Sequence, residues 1–168
     1  ADAVAGDDDA RGRLEVQFIG SRDGVEWERY DRAPYVAPGL AGGESQNMTY
    51  IGPGLVVRGD EIWQYGTGYR GRHGAVEERK LRPEGAIYRH VQRVDGFVSL
   101  DTGGTAGRAR TALVTVDGTR MRLNVDTGAL GRLRVALLDA AGRPLPGFSA
   151  DDCDPVWTNA TGVEVSWR

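Results

Sequence analysis

The stretch Gly54–Gly68, GLVVRGDEIWQYGTG, decides the fold of this chain. Val56 and Val57 lead into Gly59-Asp60, and Ile62, Trp63 and Tyr65 lead out of it. β-branched and aromatic residues suit the pleated, half-buried surface of a sheet, and a two-residue turn of this kind joins antiparallel strands. The same grammar recurs along the chain. LEVQFIG and VEWERY flank Asp23-Gly24, ALVTV and TRMRLNV flank Asp117-Gly118, and LRVALLD and RPLPGF flank the turn ending at Gly142. Four such hairpins, with 25 glycines in 168 residues, predict an all-β protein of antiparallel hairpins.

Alternation predicts which faces are buried. In TRMRLNV, Met121, Leu123 and Val125 share one face while Arg120, Arg122 and Asn124 share the other, as in a strand solvated on one side. Leu133, Val135 and Leu137 repeat the pattern in LRVALLD. The segment GALGRLRVALLDAAG has a second reading as a short helix, because Ala and Leu favour one; the glycines around it and the following turn favour a strand. Composition shifts near Asp95, from long loops and most of the aromatic residues to compact aliphatic hairpins. The predicted organisation is an acidic leader over 1–13, a β unit over 14–95 and a second β unit over 96–168.

Charge excludes several function classes. Asp and Glu total 24 and Lys and Arg 21, a net charge of -3 with the signs interspersed. This gives no basic field for nucleic acid and no polybasic membrane patch, and no run of about 18 apolar residues could span a bilayer. GDDDARGR (Gly6–Arg13) reads as a solvated leader, its three successive acids lacking the spacing of a calcium loop. Cys153 is the one cysteine, so no disulfide forms within the chain and the compartment stays open.

Read in order, SRDGVEWERYDRAPYVAPG (21–39), GPGLVVRGDEIWQYGTGYRGRHG (52–74) and AIYRHVQRVDGFVSLDTG (86–103) resemble the closing part of bacterial five-bladed β-propeller glycoside hydrolases, the arabinanase- and invertase-like group. The tail from Thr111 to Trp167 resembles the β-sandwich that follows the propeller in many of those proteins. The resemblance implies partial propeller-like blades in 14–95 and a β-sandwich in 96–168. It also implies a polysaccharide or oligosaccharide partner and an extracellular or periplasmic location. SRDGVEW is similar, one residue short, to the Asp-box turn of sialidase-type propellers, where Asp23 and Gly24 would make the turn and Trp27 would pack the hairpin.

The chain departs from that pattern in length. A propeller blade takes about 40 to 50 residues, so one or two blades fit here. Three functional expectations follow: a portion of a glycoside hydrolase-like protein contributing to glycan binding and hydrolysis, a non-catalytic carbohydrate-binding module, or a structural protein. The last would self-assemble as a homo-oligomer, because open β edges invite pairing with another chain.

Glycosidic hydrolysis needs two carboxyl groups flanking the scissile bond. The candidate catalytic acid is Glu44, in GGESQNMTYIGPG, where the resembled propellers carry an acidic residue ahead of a strand; a solvated loop acid is the plain alternative. Glu61, Glu77 and Glu78 sit at a turn or in a charged run, so no convincing pair exists and catalysis by this chain alone is not supported. For sugar recognition the candidates are Tyr65, Tyr69, Arg70 and His73 in WQYGTGYRGRHG. Ring faces stack on the apolar face of a pyranose while polar tips bond its hydroxyls. The resemblance implies that His73 orients a substrate hydroxyl or carboxylate. Its pairing with His90 as a metal site lacks an acid or cysteine at ligand spacing. Asp151, Asp152 and Asp154 cluster around Cys153, a set that suits Ca2+ or, alternatively, Asx-turn roles. No other cofactor is implied, and Cys153 reads as a buried, inert thiol.

Overall fold

In the computed structural model, which describes residues 12–74 and 85–168, Gly59-Asp60 closes a hairpin between β2 (Val56–Arg58) and β3 (Glu61–Tyr69). Arg58 faces Glu61 across the turn. Gly59 takes φ 60°, the left-handed conformation that a tight hairpin asks of its first central residue and that glycine adopts without a Cβ penalty. The acids Asp7–Asp9, Glu77 and Glu78 lie outside the described residues.

β1 (Met48–Ile51) and β2 lie on the same side of β3 and run in the same direction. β1 pairs with Gly66–Tyr69 and β2 with Glu61–Trp63. They are two stretches of one long strand, interrupted at Gly52–Leu55, where Pro53 has no N–H for the ladder. β4 (Gly85–Arg93) covers the other side of β3 over its full length, from Tyr69↔Gly85 to Glu61↔Arg93. The result is a four-stranded antiparallel sheet. Leu14 bridges Met48 and Val16 bridges Val36, and an aromatic cluster holds this flanking segment: the Phe18 ring lies 5.8 Å from Tyr35 and 5.4 Å from Phe97.

Residues directly opposite in an antiparallel pair share a face. The inner face therefore carries Ile62, Gln64, Gly66 and Gly68 of β3, with Gln92, His90, Tyr88 and Ala86 facing them. The outer face carries Trp63, Tyr65, Thr67 and Tyr69, with Val91, Arg89 and Ile87 of β4 and Met48 and Tyr50 of β1. Glycine is required at 66 and 68. A Cβ at Gly66 would run into the Tyr50 carbonyl oxygen, and one at Gly68 would meet the Tyr88 ring at 2.8 Å.

The chain divides into two units, Ala1–Phe97 and Val98–Arg168. In the second, β5 (Met121–Asp126) pairs antiparallel with β6 (Asn159–Val165). Met121, Leu123 and Val125 turn inward and alternate with exposed neighbours, as the sequence predicts. Leu133 bridges Val156 and Cys153 bridges Trp167, around a core of Cys153, Val156 and Val165. Gly142, at φ 82°, ends the turn that joins Leu138 to Pro144. The described residues contain no helix, so the helical reading of 128–142 fails; the strand reading is not met either, because the segment holds only the isolated bridges of Leu133 and Leu138.

Two further expectations fail. ALVTV does not pair with TRMRLNV: residues 106–118 join no ladder, and Leu113, Val114 and Val116 are exposed. Strand propensity expresses itself only where side chains have a surface to bury against, and this segment has none among the described residues. At Asp23-Gly24 the strands are reduced to the single bridge Gly20↔Glu28. Trp27 is 59% exposed rather than packed, because one bridge supplies no sheet surface beneath its ring. The turn itself is well made. Asp23 Oδ1 accepts from the Val25 and Glu26 amides at 2.8 and 2.9 Å and from Ser21 Oγ at 3.0 Å.

Candidate functional site

Strand alternation puts Tyr65 and Tyr69 on one face of β3, and a rise of about 3.4 Å per residue sets them ~14 Å apart along the strand. Tyr65 is 49% exposed and Tyr69 37%. Tyr50, across from Thr67, is 38% exposed and meets Tyr69 edge-on with ring centroids 6.0 Å apart. Trp63 continues the row, but its ring is already engaged. The guanidinium of Arg89 lies 4.3 Å and that of Arg58 5.0 Å from the ring centroid, and Nε1 donates to Glu61 Oε2 at 2.7 Å. Cations over an indole face occupy the surface a ligand would stack on. The open rings are therefore Tyr50, Tyr65 and Tyr69, edged by two arginines.

Arg70 follows β3 directly and turns toward the 39–47 loop, where its Nε donates to the Gly43 carbonyl at 3.4 Å. The Asn47 side chain in turn donates to the Arg70 carbonyl at 2.6 Å. Glu44 stands exposed in that loop and makes no side-chain hydrogen bond among the described residues. The His73 amide donates to the Gly12 carbonyl at 2.8 Å and its side chain is exposed. The loop thus brings the chain around Glu44 to the end of β3, while Tyr65 lies further along the strand.

In the tail, the clustered acids have separate partners. Asp152 Oδ2 accepts from Ser149 Oγ at 2.7 Å and from the Ser149 amide at 3.1 Å; these bonds hold its carboxyl below the usual range. Asp154 accepts from Ser166 Oγ at 2.9 Å and pairs with Arg168, and Asp151 is exposed. Among the described residues no group of three or more His, Cys, Asp or Glu is gathered to hold a metal ion. Cys153 is buried, as the sequence predicts.

The inner face holds a polar network that sequence reasoning missed. Tyr35 OH lies 2.5 Å from Gln64 Oε1 and 2.8 Å from Gln92 Oε1. Burial raises its pKa, so the hydroxyl keeps its proton. The one sequence signal was the period-two spacing of Tyr88, His90 and Gln92, which places them on a single face of β4. Tyr50 and Arg89 were missed because their nearness to Tyr69 and Trp63 is set by strand register. No helix of the described residues is long and apolar enough to cross a membrane. No protein-family model, no curated protein and no solved structure matches this chain.

Proposed function

We propose that this chain binds neutral polysaccharide through the outer face of its four-stranded sheet, as a carbohydrate-associated β protein that does not itself cleave the glycan. The observation that carries the reading is the row of open tyrosines, Tyr50, Tyr65 and Tyr69, on one exposed sheet face. Rings on a rigid strand stack on the apolar faces of sugars with little loss of side-chain freedom, and their hydroxyls bond to the sugar edge. Arg58 and Arg89, held over Trp63, add donors beside them. Arg70 and His73 flank the Tyr69 end, with Glu44 on the adjoining loop.

The reading of 14–95 as a propeller-type blade and 96–168 as a β-sandwich belongs to the same proposal, as does an extracellular or periplasmic location. It is supported by antiparallel pairing in both units and by the order of the resembling segments. Affinity electrophoresis against a panel of neutral polysaccharides tests the binding function. Retarded migration is expected for at least one glycan and should be relieved by Tyr65→Thr. Equal migration in every gel would sink the proposal.

A second reading, self-assembly through sheet edges, is favoured by β4. Its nine residues pair only with β3 among the described strands, and Ile87 and Val91 are exposed on it. A long, flat, apolar edge recruits further strands. Light scattering should then give a molar mass above that of one chain, reduced by Ile87→Lys. A monomer at high concentration would dismiss this reading.

A further inference from the structure

We propose that residues 111–116, TALVTV, are an exchange arm: they add as a strand to β5 of a second copy of this chain, and that copy's arm returns the contact. Reciprocal exchange of one element closes a two-fold dimer. The surface is independent of the tyrosine row and of the β4 edge.

The sequence encodes this pairing and the structure leaves it open. Asp117-Gly118 between two strand-forming runs is the composition of a tight hairpin, whose type I′ turn requires positive φ at both central residues. Gly24, Gly59 and Gly142, at turns that do form, take φ of 76°, 60° and 82°. Neither Asp117 nor Gly118 has a positive φ, so the tight turn is unmade and the dipeptide is left as a hinge. Residues 105–118 make no backbone–backbone hydrogen bond among the described residues, and β5 pairs with β6 and with no other described strand. A two-stranded sheet is marginal in water, and a third strand on an apolar face is what steadies it.

The encoded register shows what the arm would cover. A two-residue turn sets Val114 opposite Met121, Leu113 opposite Arg122 and Ala112 opposite Leu123, and exchange reproduces those pairs between chains. Ala112, Val114 and Val116 then continue the face that Met121 and Leu123 begin, both of which are only half-buried. Val114 and Val116 are 68% and 70% exposed, leaving their apolar surface to be covered. The base of the arm is anchored, because the Arg110 guanidinium lies against Gly142, where a Cβ would stand 3.0 Å from Nη1.

The exposed area points to a second copy as the occupant. The chain exposes 13242 Å2. Two separate folded domains of its size, with the residues outside the described ranges counted as fully extended chain, would expose about 12,100 Å2. The difference of about 1,100 Å2 exceeds the ~800 Å2 that each partner buries in a standard stable interface.

The test mixes purified Leu113→Cys and Arg122→Cys chains and oxidises them with copper phenanthroline, so a disulfide between the two substituted positions forms only across copies. The pair is a non-hydrogen-bonded one, with a Cα separation that suits a disulfide, and both side chains are exposed, so the fold should survive. A linked dimer is expected on a non-reducing gel, with none above background when Leu113→Cys is mixed with the off-register Arg132→Cys. In an Ile87→Lys background, which removes the apolar β4 edge, light scattering should still give twice the 18.1 kDa of one chain. Adding Val114→Lys, which would bury an ammonium beside Met121, should return the mass to that of one chain. No linked dimer, an equal yield from the off-register mixture, or a one-chain mass in Ile87→Lys overturns the proposal. So does a Leu113→Cys/Arg122→Cys double variant that links only within its own chain, the outcome of an ordinary closed hairpin.

Discussion

Replacing Tyr65 and Tyr69 by threonine, singly and together, puts the proposed glycan face to a quantitative test. An aromatic side chain offers roughly 200 Å2 of surface. At 49% and 37% exposure, Tyr65 and Tyr69 present about 100 and 75 Å2 to solvent by that measure. A stacked sugar covers about half of each, and at about 25 cal/mol per Å2 the rings contribute ~1.2 and ~0.9 kcal/mol. Those values correspond to losses of about eightfold and fivefold in affinity. The rings stand ~14 Å apart along the strand, beyond the ~7–10 Å within which substitutions usually couple, so the double variant should lose about fortyfold. Threonine keeps the strand propensity, and unchanged melting curves would confirm that the sheet survives. Calorimetry with the best-bound polysaccharide reads all three variants. Wild-type affinity in either single variant refutes the assignment of that ring, and a double variant no weaker than the singles refutes the extended face.

Two further outcomes follow from the geometry. Gly66→Ala drives a methyl into the Tyr50 carbonyl oxygen of the neighbouring strand, and backbone cannot swing aside, so a loss near ~3 kcal/mol is expected. Thermal unfolding of the first unit should fall by about ten degrees or more, and an unchanged midpoint would show that β1 yields freely. Asp23, Asp139 and Asp152 have folded pKa values lowered chiefly by hydrogen bonds, from the Val25 amide, the Arg143 amide and the Ser149 hydroxyl respectively. Groups depressed on folding stabilise the fold above their unfolded pKa, near ~4, and that stabilisation is lost as pH falls through the folded values. Stability should therefore decline on acidification below about pH 4; a flat profile there in Asp23→Asn relative to wild type is expected for the share carried by that turn, and identical profiles would remove Asp23 as a contributor.

The sequence made legible what local chemistry controls. Gly59-Asp60 dictated its hairpin because a tight turn needs a left-handed residue, and the alternation of Met121, Leu123 and Val125 dictated the inward face of β5. It misled where local pattern needed a distant partner. ALVTV has strand-forming residues and a turn beside it, yet pairing depends on a buried surface that 121–126 offers to β6 instead. At the candidate site, Tyr65 and Tyr69 were visible as spaced aromatics on one strand. Their neighbour Tyr50 was not, because it comes from β1 through register, and neither was the convergence of Tyr35 with Gln64 and Gln92, which lie 29 and 57 residues away in the chain.

The inner face of the sheet is more polar than stability alone would ask. A sheet built only for stability fills its covered face with branched aliphatics, as Ile62 does. This one places Gln64, His90 and Gln92 on that face, in register with one another, and spends two glycines, Gly66 and Gly68, that contribute no apolar surface. Each buried amide or imidazole atom left unpaired costs more than an apolar replacement would. The fold carries that cost, and the aromatic cluster of Phe18, Tyr35 and Phe97 fixes the one hydroxyl that bridges the amides.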